Sequence, residues 1–457
     1  MAGVEAPSLR ETLAAAPRFF FDRGASVRFT DLVGGTSLGG RLGDLAGRSV
    51  LLAMASQLTA ALALIELDGC VRRLVVLPPD ADRSRIDAVV AAAEIDAVVV
   101  DDRSPSVAAF DRAVRVACTP SIVAVRGSRH DRCRTEWVLM TSGTTGAPKL
   151  AVHDLLGLTA AVRVGSAADG ADVWGTFYDI RRYGGLQIYL RALCGGASLV
   201  LSSVDEPPAD HLERLAQHRV THLSGTPSQW RRALMNPAVR KIPLRYVRLS
   251  GEIADQAILD RLRATFPQAV VAHAYASTEA GVGFDVNDGL SGFPASHVGA
   301  IRDGVQLKVA DGTLRIRSRG AASRYLGSGQ MLADTDGFVD TGDIVERRGE
   351  RYHFAGRKGG VINIGGLKVH PEEVEAVINR HPQVRMSLVH RKQSSITGSI
   401  VVADVVLTPQ GKNLPQCDIR DDILRFCRDA LPRHKVPAAI SFVPALGVGA
   451  SGKLARG

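Results

Sequence analysis

The stretch Met140-Thr141-Ser142-Gly143-Thr144-Thr145-Gly146-Ala147-Pro148-Lys149-Leu150 decides how this chain is read. Apolar Trp137-Val138-Leu139-Met140 before it predicts a buried strand that runs directly into small hydroxyl residues and glycines. Gly143 and Gly146 let the backbone turn its N–H groups inward with no Cβ in the way. Thr141, Ser142, Thr144 and Thr145 add hydroxyl donors, and Lys149 adds a positive charge. Such a loop suits polyphosphate. It is not the Walker A pattern, which places Gly-Lys-Ser/Thr after four spacer residues.

Working outward, a second motif lies about 130 residues on: Ala272-His273-Ala274-Tyr275-Ala276-Ser277-Thr278-Glu279. Tyr275 offers a flat face, Thr278 a hydroxyl and an N–H, and Glu279 a hard oxygen ligand for a divalent cation. Asp340-Thr341-Gly342-Asp343 follows, where Asp343 after a glycine turn suits bidentate binding of a diol. Tyr352 to Glu375 contains Arg357-Lys358-Gly359-Gly360 and Gly365-Gly366, then Pro371 with Glu372 and Glu373 at the start of a predicted helix. The chain closes on Gly449-Ala450-Ser451-Gly452-Lys453. Gly447 to Lys453 also fits Gly-x4-Gly-Lys, but Leu454 stands where Ser or Thr is required.

These five ordered motifs resemble those of the adenylate-forming superfamily: acyl-CoA synthetases, adenylation domains of peptide synthetases and luciferases. The resemblance covers about residues 130 to 457. It implies an α/β fold: a large N-terminal domain of two helix-covered sheets plus a small β segment, and a small mobile α+β C-terminal domain. The expected division is 1–357 for ATP and acid binding and 358–457 for the mobile domain. The implied reaction is attack of a small carboxylic acid on MgATP to give acyl-AMP, then transfer to a thiol, of CoA or of an acyl or peptidyl carrier protein's phosphopantetheine.

The resemblance assigns roles residue by residue. Lys453, Thr278 and Glu279 are the expected catalytic residues, with Glu279 on Mg2+. Thr141, Ser142, Gly143, Thr144, Thr145, Gly146, Lys149, Gly251, Glu252, Tyr275, Ala276, Ser277, Asp343 and Arg357 are expected around ATP and AMP. Lys358 and Gly359 form the expected hinge, and Gly365 and Gly366 approach a pantetheine arm. The family has an acidic pair where Gly359-Gly360 stands here. His153 follows the phosphate loop at a family spacing, and reads equally as a histidine at a helix N-terminus.

Phe177-Tyr178-Asp179-Ile180-Arg181-Arg182-Tyr183 departs most from the pattern, with Asp179 near the place of a histidine. Tyr178, Asp179, Arg181 and Arg182 are therefore candidates for the acid pocket, with one arginine pairing a polar or anionic substrate. The competing reading leaves both arginines in solvent.

Composition narrows the classes. The net charge of +9 suits ATP, CoA or an acidic carrier. The charges are scattered and aromatics make up only 5%, which argues against nucleic acid. The six cysteines form no C-x-x-C pair, as expected of a reduced, cytoplasmic protein. No apolar run suits a membrane span. Before the loop, strand Ser49 to Ala53, helix Gln57 to Leu67, strand Arg73 to Leu77, a helix from Ser84 to Ala93 and strand Ala97 to Val100 predict a parallel α/β layer. A second such layer follows from Leu186 to Leu249. Late in the chain, Asp418 is the expected cap of a helix running through Leu431.

Overall fold

The computed structural model describes residues 8–13, 18–104, 110, 113–125, 133–141, 149–162, 172–203, 205–327, 331–364, 367–394, 398–449 and 452–455. Its first layer is a seven-stranded sheet in the spatial order Arg324–Tyr325, Lys149–His153, Glu136–Thr141, Arg73–Val76, Ser49–Ala53, Ala97–Val100, Val114–Ala117. The strands from Glu136–Thr141 to Val114–Ala117 pair in parallel, as the alternation of strand and helix predicts. The two strands that flank the phosphate-loop stretch pair antiparallel in this sheet, with Lys149 opposite Thr141.

The second layer has eight strands, with Gly281–Val286, Val270–Ser277, Tyr246–Ser250, His222–Gly225 and Val173–Thr176 side by side at one end. Helix Gln57–Leu67 lies between the two sheets, and every one of its residues is buried. Its sequence, QLTAALALIEL, explains this: apolar all round and rich in Ala, it can pack on both sides. Its one carboxylate, Glu66, accepts from Thr36 Oγ1 and Ser37 N at 2.6 Å each, so no buried charge goes unpaired. Helix Tyr183–Cys194 joins the same core.

The β segment is a six-stranded antiparallel sheet. Its Asp311-Gly312 turn has φ of 53° and 74°, the two left-handed residues that a tight hairpin needs. The C-terminal part has its own core, in which helices Pro371–Ile378 and Gln416–Ala430 pack on a three-stranded sheet through Val374, Ile378, Val405, Ile423 and Cys427.

Three local expectations shift. The predicted helix from Ser84 begins instead with a 3-10 turn capped by Asp82, whose carboxylate accepts from Ser84 N at 3.0 Å, and the α-helix proper is Ile86–Ala92. Asp418 is not the cap of its helix. Pro415 holds that position and Asp418 lies in the first turn, where its charge favours the helix dipole. The sequence from Leu155 to Val164 reads as a helix-like run, but the helix is Leu155–Thr159. Among the described residues, no helix is long and apolar enough to cross a membrane.

Candidate active site

The strand ends Gly225, Ser250 and Ser277 of the second sheet point at one place, and the tail comes to it. Residue 251 is the keystone. Gly251 has φ +88°, and a Cβ there would lie 3.4 Å from Lys453 Cε. The terminal lysine therefore rests directly on the glycine turn after Tyr246–Ser250.

Three contacts hold the tail. Thr226 Oγ1 donates to Gly452 O at 2.6 Å, and Leu454 N donates to Glu252 Oε1 at 2.8 Å. Gly452, at φ +76°, lies against the Gln229 amide, where a Cβ would collide. The receiving surface is the start of helix Pro227–Ala233. There Thr226 and Gln229 form a reciprocal capping box, and Ser228 N donates to Glu252 Oε2 at 2.9 Å. One carboxylate, Glu252, thus binds both the helix start and the tail.

Around Lys453 the charges are mixed. Crowding by the protein lowers the Lys453 pKa below that of an ordinary lysine; Glu252, Asp343 and Glu279 oppose the shift, and Arg357 adds to it. The ammonium is less well solvated than a surface lysine's and correspondingly ready to bind an anion.

Asp343 sits in the antiparallel sheet after Gly342, whose φ is +69°. Its Oδ2 accepts from Tyr275 OH at 2.5 Å, and its Oδ1 pairs with Arg357 Nε at 2.9 Å. Arg357 Nη2 also donates to Thr341 O at 3.1 Å. The Tyr275 ring stacks on Phe354, centroids 5.3 Å apart at 10°. A shift in pairing register between Tyr275 and Ala276 re-aims the strand just before Ser277, Thr278 and Glu279. Ser277 Oγ accepts from Ala280 N at 3.0 Å, closing that turn.

Lys149 and Glu279 meet through Tyr325. Lys149 Nζ lies 5.2 Å from the Tyr325 ring centroid, and Tyr325 OH approaches Glu279 Oε1 at 3.4 Å. Burial and the Glu279 charge push the Tyr325 phenol up to about 12. Strand Arg324–Tyr325 pairs with Lys149–His153, which is what brings Tyr325 there. Glu279 keeps most of its acceptor capacity. Among the described residues no cluster of three His, Cys, Asp or Glu could cage a metal alone. One carboxylate open toward a polyphosphate site is nevertheless how Mg2+ is commonly held, with phosphate oxygens and waters completing the shell.

Of the sequence-predicted residues, Lys453, Gly251, Glu252, Tyr275, Asp343 and Arg357 lie in one constellation, with Glu279 and Lys149 beside it. Ser142, Gly143, Thr144, Thr145, Gly146, Gly365 and Gly366 lie outside the described residues. Lys358 pairs with Asp340 at 3.5 Å. It shares a 3-10 turn with Gly359 and Gly360, where added Cβ atoms would meet nothing within 4 Å. The two glycines are therefore not required by sterics. His153 is buried with neither ring nitrogen at hydrogen-bond geometry to a partner. Burial drops its pKa to about 4, opposed in part by the Thr278 backbone and Asp154.

The acid-pocket candidates divide differently from the expectation. Tyr178 OH donates to Ser250 O at 2.8 Å, at the edge of the constellation. Arg181 does not face a substrate. It is fully buried, chelates Asp179 at 2.8 and 2.6 Å, and donates to Ala55 O at 3.1 Å and to Met54 O. Arg182 pairs with Asp80. Sequence reasoning missed Thr226, Ser228, Gln229, Tyr325 and Phe354. The Thr226-x-x-Gln229 capping pattern could have flagged the first three.

Known proteins align with this chain. The chain is 28% identical over 392 residues to the 2-succinylbenzoate–CoA ligase of Salmonella typhimurium, covering 83% of this chain and 81% of that one. It is 27% identical over 352 residues to a probable non-canonical nonribosomal peptide synthetase of Salinispora arenicola, covering 70% of this chain and 4% of that much longer protein. The solved structure of an anthranilate CoA ligase with anthranoyl-AMP superposes with a TM-score of 0.78, covering 98% of this chain and 95% of that one at 17% identity. The AMP-binding enzyme family matches residues 50–332 and the AMP-binding enzyme C-terminal domain matches residues 373–453, so the chain belongs to the AMP-binding enzymes.

Proposed function

We propose that this protein is an AMP-forming acid–thiol ligase that converts a small carboxylic acid to acyl-AMP and passes the acyl group to CoA. The observation that carries this reading is the placement of Lys453 on Gly251, within the charge field of Glu252, Asp343, Arg357 and Glu279. A tail lysine held by three separate contacts has no evident structural purpose there.

In the first step the substrate carboxylate attacks the α-phosphate of ATP and pyrophosphate leaves. The work is positioning and charge stabilisation. Lys453 bridges the carboxylate and phosphate oxygens. Asp343 takes the ribose hydroxyls, exchanging one or both of its present partners, Tyr275 and Arg357. Thr278, Lys149 and the loop hydroxyls of Ser142, Thr144 and Thr145 hold phosphate oxygens, and Tyr275 borders the adenine. Mg2+ at Glu279 would offset phosphate charge. In the second step residues 358–457 turn as a unit about Lys358, the tail leaves Gly251, and a thiol reaches the acyl-AMP along Gly365-Gly366. A carrier protein's phosphopantetheine is the alternative acceptor, and the match to a nonribosomal peptide synthetase favours keeping it. A cytoplasmic site of action rests on the cysteines, all six of which are free.

The test is pyrophosphate release from ATP across a panel of carboxylic acids, with and without CoA. Release that needs one acid class, and formation of the acyl-CoA thioester with release of AMP on adding CoA, is expected. Release with no thioester would redirect the second step to a carrier protein. No release with any acid while ATP still binds would sink the ligase reading.

Asp343→Asn gives a sharper expectation for one residue. It removes the charge from two short contacts and from the ribose site, with little change in shape. Charge-assisted hydrogen bonds contribute about 1.5–3 kcal/mol each, so KM for ATP should rise on the order of 100-fold. An unchanged KM would remove Asp343 from the nucleotide site.

A further inference from the structure

Below the glycine turn, on the same face of strand Tyr246–Ser250 as Ser250, lies Arg248, only 3% exposed. Its Nη2 donates to Asp285 at 2.7 Å, but its buried Nε meets no partner. A second arginine, Arg191, approaches from helix Tyr183–Cys194. It lies two turns after Tyr183, and helical side chains lean toward the N-terminus, here toward Tyr183. Its Nε is also buried without a partner, and no carboxylate among the described residues forms an ion pair with it. Ser224 Oγ, buried at the end of the neighbouring strand, faces the Tyr178 hydroxyl.

The charge balance is therefore incomplete: two guanidinium groups, Arg191 and Arg248, stand against one carboxylate, Asp285, which is itself 39% exposed. Burial depresses the Arg191 pKa and Arg248 depresses it further. Buried guanidinium nitrogens normally find an acceptor, and the Nε of each of these two arginines has none among the described residues. Tyr178 and Tyr183 lie within electrostatic reach of Arg248, and Tyr178 OH donates to Ser250 O, which places the arginines beside the residues that lead into the Gly251 turn.

We propose that Arg191 and Arg248 form an anion subsite at the floor of the acid pocket, and that the acid activated here carries a second carboxylate. This rests on the ligase reading above. The reacting carboxylate lies at Lys453 over Gly251. Arg248 is three residues down the strand, on the order of 10 Å at about 3.3 Å per residue. A dicarboxylate with a short aliphatic or aromatic spacer spans that distance. The anion-pairing arginine expected from the sequence is thus supplied by Arg191 and Arg248, while Arg181 is committed to Asp179.

The test compares glutarate, adipate, pimelate, phthalate and homophthalate with their monoamides, by pyrophosphate release and by calorimetric binding to the full chain. Wild type should prefer a diacid over its monoamide by about 10- to 100-fold in kcat/KM. Arg191→Gln and Arg248→Gln should bring that ratio close to one, and Arg191→Lys should restore part of it. Arg248→Gln also breaks the Asp285 pair, so thermal melting accompanies it and Arg191→Gln stands as the independent variant. No diacid preference in wild type, or a preference untouched by Arg191→Gln, overturns the subsite. If no acid releases pyrophosphate yet calorimetry shows diacid binding that Arg191→Gln weakens, the subsite stands and the ligase reading fails.

Discussion

Lys453→Ala should lower the rate of acyl-AMP formation by about 100- to 1,000-fold, the usual effect of deleting one preorganised donor to a transition-state anion. Binding of ATP should change little, because the contacts proposed for the nucleotide are Asp343, Tyr275 and the phosphate loop. The position explains the size of the effect. Lys453 lies on the turn that carries Gly251, with Glu252 receiving Leu454 N at 2.8 Å and Thr226 holding Gly452 O at 2.6 Å, so its ammonium is delivered without a further search. In the proposed mechanism the charged form is the active one, and the Lys453 pKa is lowered by burial. Acyl-AMP formation should therefore fall, as pH rises, at lower pH than an ordinary lysine near 10.4 would dictate. Single-turnover formation of acyl-AMP measures both. An alanine variant that forms acyl-AMP at the wild-type rate would show that the tail is only a latch.

Much of this site was readable from residue types because its chemistry is local. The apolar run before the Ser, Thr and Gly residues reads as a buried strand and is one, Glu136–Thr141, whereas its antiparallel pairing with Lys149–His153 was not read from the sequence. The Ala-rich Gln57–Leu67 was readable as a helix packed on a sheet, though not as one buried on every side. What the sequence left obscure are contacts between distant segments. Thr226 meets Gly452 across 226 residues, and no local pattern encodes that. Tyr325 reaches Glu279 only because a two-residue strand joins the edge of the first sheet. Arg191 reads as one more helix arginine until the sheet behind it supplies Arg248. The same limit governs Arg181 and Arg182: periodicity does not say that Arg181 folds back onto a buried Asp179 or that Arg182 meets Asp80 102 residues away.

Arg181→Ala should destabilise the fold by about 3–5 kcal/mol, the cost of leaving one member of a buried ion pair alone. Its side chain has 0% exposure and that of Asp179 has 6%. Deletion strips the bidentate partner from Asp179 and also uncaps the carbonyls of Met54 and Ala55 at the start of the central helix. For a domain of this size the melting midpoint should drop by on the order of 10 °C. The double variant Asp179→Leu, Arg181→Met should recover much of the loss, since replacing both charges by apolar groups of similar volume removes the desolvation cost along with the attraction. A substrate contact would behave otherwise. Arg181→Ala would then melt with wild type while losing selectivity among acids, and the double variant would recover nothing. Thermal melts of the three proteins beside their acid profiles decide between these outcomes. The first pattern would mean that Arg181 makes the loop rigid so that Tyr178, one residue before Asp179, can hold Ser250 and keep the turn at Gly251 in place for Lys453.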